Sequence, residues 1–412
     1  MNILFIHQNF PGQFQHLAPA LARNGHNVVA LHMGKKGLST WQDVKMVSYS
    51  ASRGTSKEIH PWAGDFETKI IRGEACLAAS IKLKKAGFTP DKIIAHHGWG
   101  ESLFVKQVWP NAALGIYCEF YYEPNGLDVD FDPEFSTKGV GEQCRVLLKN
   151  INNLLHFPFA DAGISPTSWQ ASTFPEHFRE KIAVIHDGID TSVVRANKNA
   201  TFKLPNGTVL NSQNEVITFV NRNFEPYRGY HIFMRSLPEI LKLRKDAIVV
   251  LVGGEGVSYG APPNAEKYGN KTWKQIFIDE VAPNISPQDF KRVAFVGELE
   301  YERYICLLQL SSVHVYLTFP FVLSWSLMEA MSIGCPIIAS DTPPVAEVIH
   351  DGITGLLVDF FDHKRLAFSI NELLNDPCRS ESLSKAASEF IRSNYDLNDV
   401  CLPKQIEWVN SL

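Results

Sequence analysis

Residues 2–33 read NILFIHQNFPGQFQHLAPALARNGHNVVALHM, and this stretch decides the fold. NILFIH has the length and bulk of a strand buried on both faces. It stops at the turn-forming Gln8-Asn9-Phe10-Pro11-Gly12, after which FQHLAPALARNG takes up a helical spacing of apolar residues. Asn24-Gly25 ends that helix, and HNVVALHM is a second short apolar run. Strand, helix and strand in so few residues make a βαβ unit of the kind that builds doubly wound α/β domains.

The same rhythm continues outward. KIIAHHG (92–98), AALGIYCEF (112–120), DAGISP (161–166) and KIAVIHDG (181–188) bring the expected strands of the first 190 residues to six. VITFVN (216–221), AIVVLVGG (247–254), VAFVG (293–297), VHVYLT (313–318), PIIAS (336–340) and GLLVD (355–359) repeat the pattern. Between the two sets, residues 197–214 are rich in Asn, Lys, Thr and Gly and read as a linker. The expected domains are therefore 1–195 and 196–385, both Rossmann-like, with a helical tail over 386–412 that returns to the first. Residues 254–290 break the rhythm with GEGVSYGAPPNAEKYGN, which predicts a long loop followed by a helix at KTWKQIFIDEVA.

A chain of 412 residues is long enough for two cores. Its 45% apolar and 20% charged residues place it with ordinary globular proteins. A net charge of -5 gives no global attraction to nucleic acid, so phosphate binding has to be local. Seven scattered cysteines, none in a CxxC spacing, read as reduced thiols rather than a metal site. The opening apolar run lacks a basic leader, and no segment has membrane-spanning length, so a cytoplasmic location is expected.

Ligands of open α/β sheets lie beyond the carboxyl ends of the strands, which singles out four places. Gly12 permits close backbone approach ahead of a helix start; an ordinary βα turn is an equal reading. His96-His97-Gly98-Trp99-Gly100-Glu101 combines hydrogen-bonding rings with an aromatic suited to a sugar face. Glu119 and Glu123 follow the next strand among Tyr117, Phe120, Tyr121 and Tyr122, a run that suits carbohydrate or an aromatic core equally. Arg222 and Arg228 stand at a strand end, as neutralising a diphosphate requires. In 318–331, Ser324, Trp325, Ser326 and Leu327 open a helix whose amides suit phosphate, and Glu329, about a turn in, suits a ribose diol. A carboxylate among Leu327, Met328, Ala330 and Met331 demands a partner.

SLMEAMSIGCPIIASDTPPVAEVIHDGITGLLVD (326–359) closely resembles the donor-binding half of family 4 glycosyltransferases, retaining enzymes of the GT-B fold. The resemblance covers most of 215–395 and continues more weakly through the first half. It implies two Rossmann-like domains facing across a cleft and a nucleotide-sugar donor, a UDP- or GDP-sugar, with no further cofactor and no metal. Arg222 and Arg228 would take the places that grip the diphosphate, and Glu329 that of the second Glu of an E-x7-E motif, on the ribose. Val296 and Gly297 would face the base, and His97 would match a histidine near the donor sugar. The first Glu of the motif is replaced by Phe321, which leaves the donor sugar open.

The acceptor implied is a glycan, a lipid-linked sugar or a small molecule. Epimerase or hydrolase chemistry on the same fold and non-catalytic sugar-nucleotide binding are the competing readings. A nicotinamide dehydrogenase is disfavoured, because no GxGxxG follows the first strand. Lys82, Lys84 and Lys85 end a helix; a solvated face is preferred there over contact with an anionic inner membrane.

Overall fold

The structure, a computed structural model, describes residues 1–34, 39–136 and 139–412. The chain forms two compact units: Met1–Gly188 with Leu397–Leu412, and Ile189–Asp396.

In the first unit, β1 (Asn2–Ile6), β2 (Asn27–His32), β3 (Thr40–Trp41), β4 (Val44–Ser48), β5 (Lys92–Ala95), β6 (Ala113–Tyr117), β7 (Ala162–Ser165) and β8 (Ile182–Val184) form one sheet in the order β3-β4-β2-β1-β5-β6-β7-β8. All neighbours are parallel except β3 and β4. Eight strands among the described residues, rather than six, correct the sequence reading. The additional pair is a hairpin turning at Gln42 and Asp43, both at positive φ, and neither residue carries the Asn-Gly signal such turns usually show.

Side chains of β1 alternate as a covered strand requires. Leu4 and Ile6 meet Cys76, Ala79 and Leu83 of the Gly64–Lys85 helix, whereas Ile3 and Phe5 meet Leu17, Leu21 and Trp408. Trp408 lies on the helix Leu402–Ser411, which packs on this unit. A Cβ on Gly115 would come within 2.7 Å of the Trp408 ring, so only glycine lets β6 accept it. Lys92 Nζ donates to the carbonyls of Val409 (2.6 Å) and Asn410 (2.8 Å), satisfying the helix's last acceptors. Burying Trp408 and Val409 contributes on the order of 2–3 kcal/mol each before entropy. The preceding helix, Pro377–Tyr395, stays with the second unit.

The second unit carries β9 (Phe202–Lys203), β10 (Val209–Leu210), β11 (Val216–Asn223), β12 (Ile248–Gly254), β13 (Val293–Gly297), β14 (Val313–Tyr316), β15 (Ile337–Ser340) and β16 (Leu356–Val358). Its parallel sheet runs β13-β12-β11-β14-β15-β16, and its six strands are the six apolar runs of the sequence. The stretch read as a linker is instead the antiparallel hairpin β9–β10. Phe202, Leu204 and Leu210 pack there with Val216, Val250 and Leu307. A few well-spaced apolar side chains therefore attach a polar segment to the second core. The chain changes units at Gly188, ahead of that segment.

Candidate functional site

In the second unit the strand order reverses between β11 and β14, and the crevice past their carboxyl ends is where an open parallel sheet receives its ligand. A short turn, Pro226–Arg228, leaves β11 and closes on Gly229 at φ +68°. A Cβ there would stand 2.2 Å from Leu317 Cβ, so glycine lets the turn pack on the end of β14. That packing places Arg228, 6% exposed, against β14. Its Nη1 donates to Thr318 Oγ1 (2.8 Å) and to the Tyr316 hydroxyl (3.4 Å). Its guanidinium lies 4.9 Å from the Tyr259 ring centre and 5.9 Å from that of Phe321. Burial opposes its charge, but Tyr316, Tyr259 and Glu225 outweigh burial and hold its pKa above the ordinary arginine value.

Glu225, fully buried, accepts backbone N–H bonds from Ser258 (3.1 Å), Tyr259 (3.2 Å) and Gly260 (3.1 Å). Asn223 adds a bond from the Gly256 N–H and donates to Ser258 Oγ. The glycine-rich loop is thereby tied to the turn that carries Arg228, and Tyr259 is held over its guanidinium. Arg222 is exposed near the end of β11.

The helix Trp325–Ile333 begins at the same crevice. Ser324 caps it, accepting the Ser326 N–H (3.3 Å), and the Ser324 N–H donates to the Tyr316 hydroxyl (3.0 Å). Tyr316 thus touches both Arg228 and the helix start, so a guanidinium and the positive end of a helix share one neighbourhood. Leu327 and Glu329 are buried on this helix, while Trp325 and Ser326 are partly exposed. Glu329 Oε1 accepts from Tyr301 and Oε2 from Tyr304, both at 2.8 Å. Burial raises the Glu329 pKa, and the two phenols partly counter it. Gly297 ends β13 at φ +71°, and Val296 lines a cavity of about 640 Å³ with Phe202, Arg303 and Cys306.

In the first unit the order reverses between β1 and β5. Gly12, at φ +48°, lies so close to the His7 ring that a Cβ would come within 2.2 Å of it. The Asn9 N–H donates to His7 Nδ1 (3.0 Å), and His7 Nε2–H donates to Gln13 Oε1 (2.8 Å). Burial, with His96 alongside, pulls the His7 pKa down to about 3. His96 is fully buried, stacked between Trp99 (4.1 Å) and Tyr117 (5.3 Å), and its Nε2 is 3.6 Å from Glu119 Oε2. Neither of its ring nitrogens has a hydrogen-bond partner among the described residues.

His97 is buried. Its Nδ1 lies 3.0 Å from the Tyr117 carbonyl and its Nε2 2.6 Å from Asn153 Oδ1, and burial holds its pKa well below the ordinary histidine value. The backbone is extended at His96 and enters a tight turn at His97, which directs the second ring inward. His96 and Glu119 therefore face one another at the switch point, and Glu123 is half-buried farther along the loop. His7, Glu225, Tyr259, Tyr301 and Tyr304 are additions that the sequence reading did not single out. His7 follows β1 directly, so the strand-end rule was the available signal.

Two doubly wound sheets, each gathering polar side chains at its switch point, define a twin-Rossmann protein. Residues 24–194 match the model of the glycosyl transferase family 4 group, and residues 201–390 that of glycosyl transferases group 1. The chain belongs to this family of glycosyltransferases. It is 24% identical over 221 residues to D-inositol 3-phosphate glycosyltransferase of Acidothermus cellulolyticus, covering 53% of this chain and 46% of that protein. It is 25% identical over 236 residues to spore coat protein SA of Bacillus subtilis, covering 54% and 57%. The chain thus spans about half the length of the curated relatives it matches. Among solved structures it resembles HepE of Anabaena in complex with UDP and glucose (TM-score 0.69, 15% identity, 100% of both chains). It also resembles sucrose-phosphate synthase of Thermosynechococcus elongatus (TM-score 0.71, 18% identity, 100% of this chain and 99% of that one). These likenesses show the GT-B fold.

Proposed function

We propose that the chain transfers a sugar, with retention, from a nucleotide-sugar donor to a glycan, lipid-linked or small-molecule acceptor in polysaccharide or glycoconjugate synthesis. The observation that carries this reading is the meeting of Arg228 and the capped start of the 325–333 helix at one switch point, with Glu329 on that same helix. Arg228 and the helix amides receive the diphosphate, with Arg222 approaching from the exposed strand end. Glu329 receives the ribose, and the Val296-Gly297 segment the base. The relative bound to UDP favours a uridine donor over a guanosine one.

The acceptor oxygen forms its bond to the anomeric carbon on the face from which the phosphate oxygen departs. The departing phosphate takes the acceptor proton. Guanidinium and amide dipoles stabilise the negative charge that develops on the diphosphate, so the reaction requires neither a metal nor a further cofactor. At the first unit's own switch point, His97, with His96 and Glu119 nearby, is the group proposed to address a sugar. The enzyme works in the cytoplasm, with Lys82 and Lys85 on a solvated face and Lys84 donating to the Val108 carbonyl.

The test is thermal stabilisation by UDP-, GDP-, ADP- and CMP-sugars, since a ligand that binds only the folded state raises its stability. One nucleotide series is expected to stabilise the wild type and to lose its effect in Arg228→Ala and Glu329→Ala. Equal shifts in the variants, or none in the wild type, overturn the assignment.

A further inference from the structure

Glu329 is 8% exposed, and each of its oxygens already accepts a hydroxyl. The two donors differ. Tyr304 packs against the core formed by Leu308, Met328 and Met331, whereas Tyr301, at the first position of the same helix, is 52% exposed. Three-residue spacing on the helix puts both hydroxyls on one carboxylate, with the rings 6.0 Å apart. A ligand diol that reaches this nearly covered carboxylate from solvent meets the exposed donor, Tyr301, first.

We propose that Tyr301 is an exchangeable stand-in for a ribose hydroxyl. On nucleotide binding its O–H leaves Glu329 Oε1 and a ribose O–H replaces it, while Tyr304 keeps its bond to Oε2 and fixes the carboxylate's aim. The inference rests on the reading of Glu329 as the ribose acceptor. The exchange leaves the number of hydrogen bonds to the carboxylate unchanged, so the buried charge stays satisfied in both states. Without ligand, the Tyr301 hydroxyl competes with the nucleotide. Tyr304, acting only through Glu329, is a positioning residue.

The experiment is calorimetric titration of the full chain with UDP and with 2′,3′-dideoxy-UDP, and with the corresponding GDP pair, for wild type, Tyr301→Phe, Tyr304→Phe and Glu329→Gln. Removing the competing hydroxyl is expected to tighten the diol-bearing nucleotide about fivefold in Tyr301→Phe, the equivalent of one ordinary hydrogen bond, and to leave the dideoxy form unchanged. Tyr304→Phe is expected to weaken the diol-bearing form by a similar factor and Glu329→Gln by more. Unchanged or weaker diol binding in Tyr301→Phe overturns the exchange while leaving the donor site standing. If neither nucleotide binds the wild type, the donor site itself falls and the exchange with it. Equal gains for both forms in Tyr301→Phe also refute the exchange, because they place the ring rather than its hydroxyl in the ligand's way.

Discussion

Replacing Gly229 by alanine tests how the turn that carries Arg228 is positioned. An alanine at φ +68° sits in the left-handed region, at a cost of about 1–2 kcal/mol. Its Cβ would also lie 2.2 Å from Leu317 Cβ, an atom fixed to the backbone just past β14, and overpacking of that kind adds about 1–3 kcal/mol. The expected loss is thus about 2–5 kcal/mol. Gly207→Ala isolates the backbone term, because Gly207 is at φ +90° with nothing within 4 Å of an added Cβ; it should lose only about 1–2 kcal/mol. Both glycines lie in the second unit, so urea unfolding of that unit compares them within one transition. Nucleotide affinity should fall in Gly229→Ala, because the turn has to lift from Leu317, and should hold in Gly207→Ala. Equal destabilisation by the two substitutions, or wild-type affinity in Gly229→Ala, refutes the reasoning.

Arg228→Lys keeps the charge but loses the planar fork that spans Thr318, Tyr316 and the Tyr259 ring; titration should show nucleotide binding about tenfold weaker. A protonated Glu329 loses acceptor capacity, and its pKa is raised by burial, so nucleotide affinity should begin to fall on acidification above the ordinary carboxylate range. In Glu329→Gln that fall should be absent across the same titrations. His7, His156, His186 and His314 are buried with pKa values near 3 or 4, below their unfolded value. Between the two values the unfolded chain binds more protons, so stability is full above about pH 6.5 and declines as pH falls, by up to about 1.4 kcal/mol per unit for each histidine. Unfolding free energies that stay constant from pH 7 to pH 5 would contradict this.

The strands β1, β2, β5–β8 and β11–β16 were legible because parallel strands covered on both faces must be short, continuous and apolar. The hairpin β3–β4 was not, since Gln42 and Asp43 adopt positive φ without the residues that announce it. Nor was β9–β10, where Phe202, Leu204 and Leu210 sit among polar residues that read as a linker. Arg228 and Glu329 stood out because charge at a strand end or on an apolar helix has to be answered by something. What answers it was hidden: Tyr301 and Tyr304 look like ordinary positions of a half-buried helix, and Tyr259 reaches Arg228 only through a loop fastened by Glu225. Between His96 and His97, composition is silent. The onset of a tight turn decides which ring faces the switch point.

The central claim is that the nucleotide half of the donor binds at the switch point of the second unit. A crystal structure of the chain with UDP tests it most directly. The account predicts the diphosphate against Arg228 and the start of the 325–333 helix, with the ribose on Glu329. A nucleotide bound elsewhere, with Arg228 and Glu329 still holding only their own tyrosines and Thr318, would contradict it.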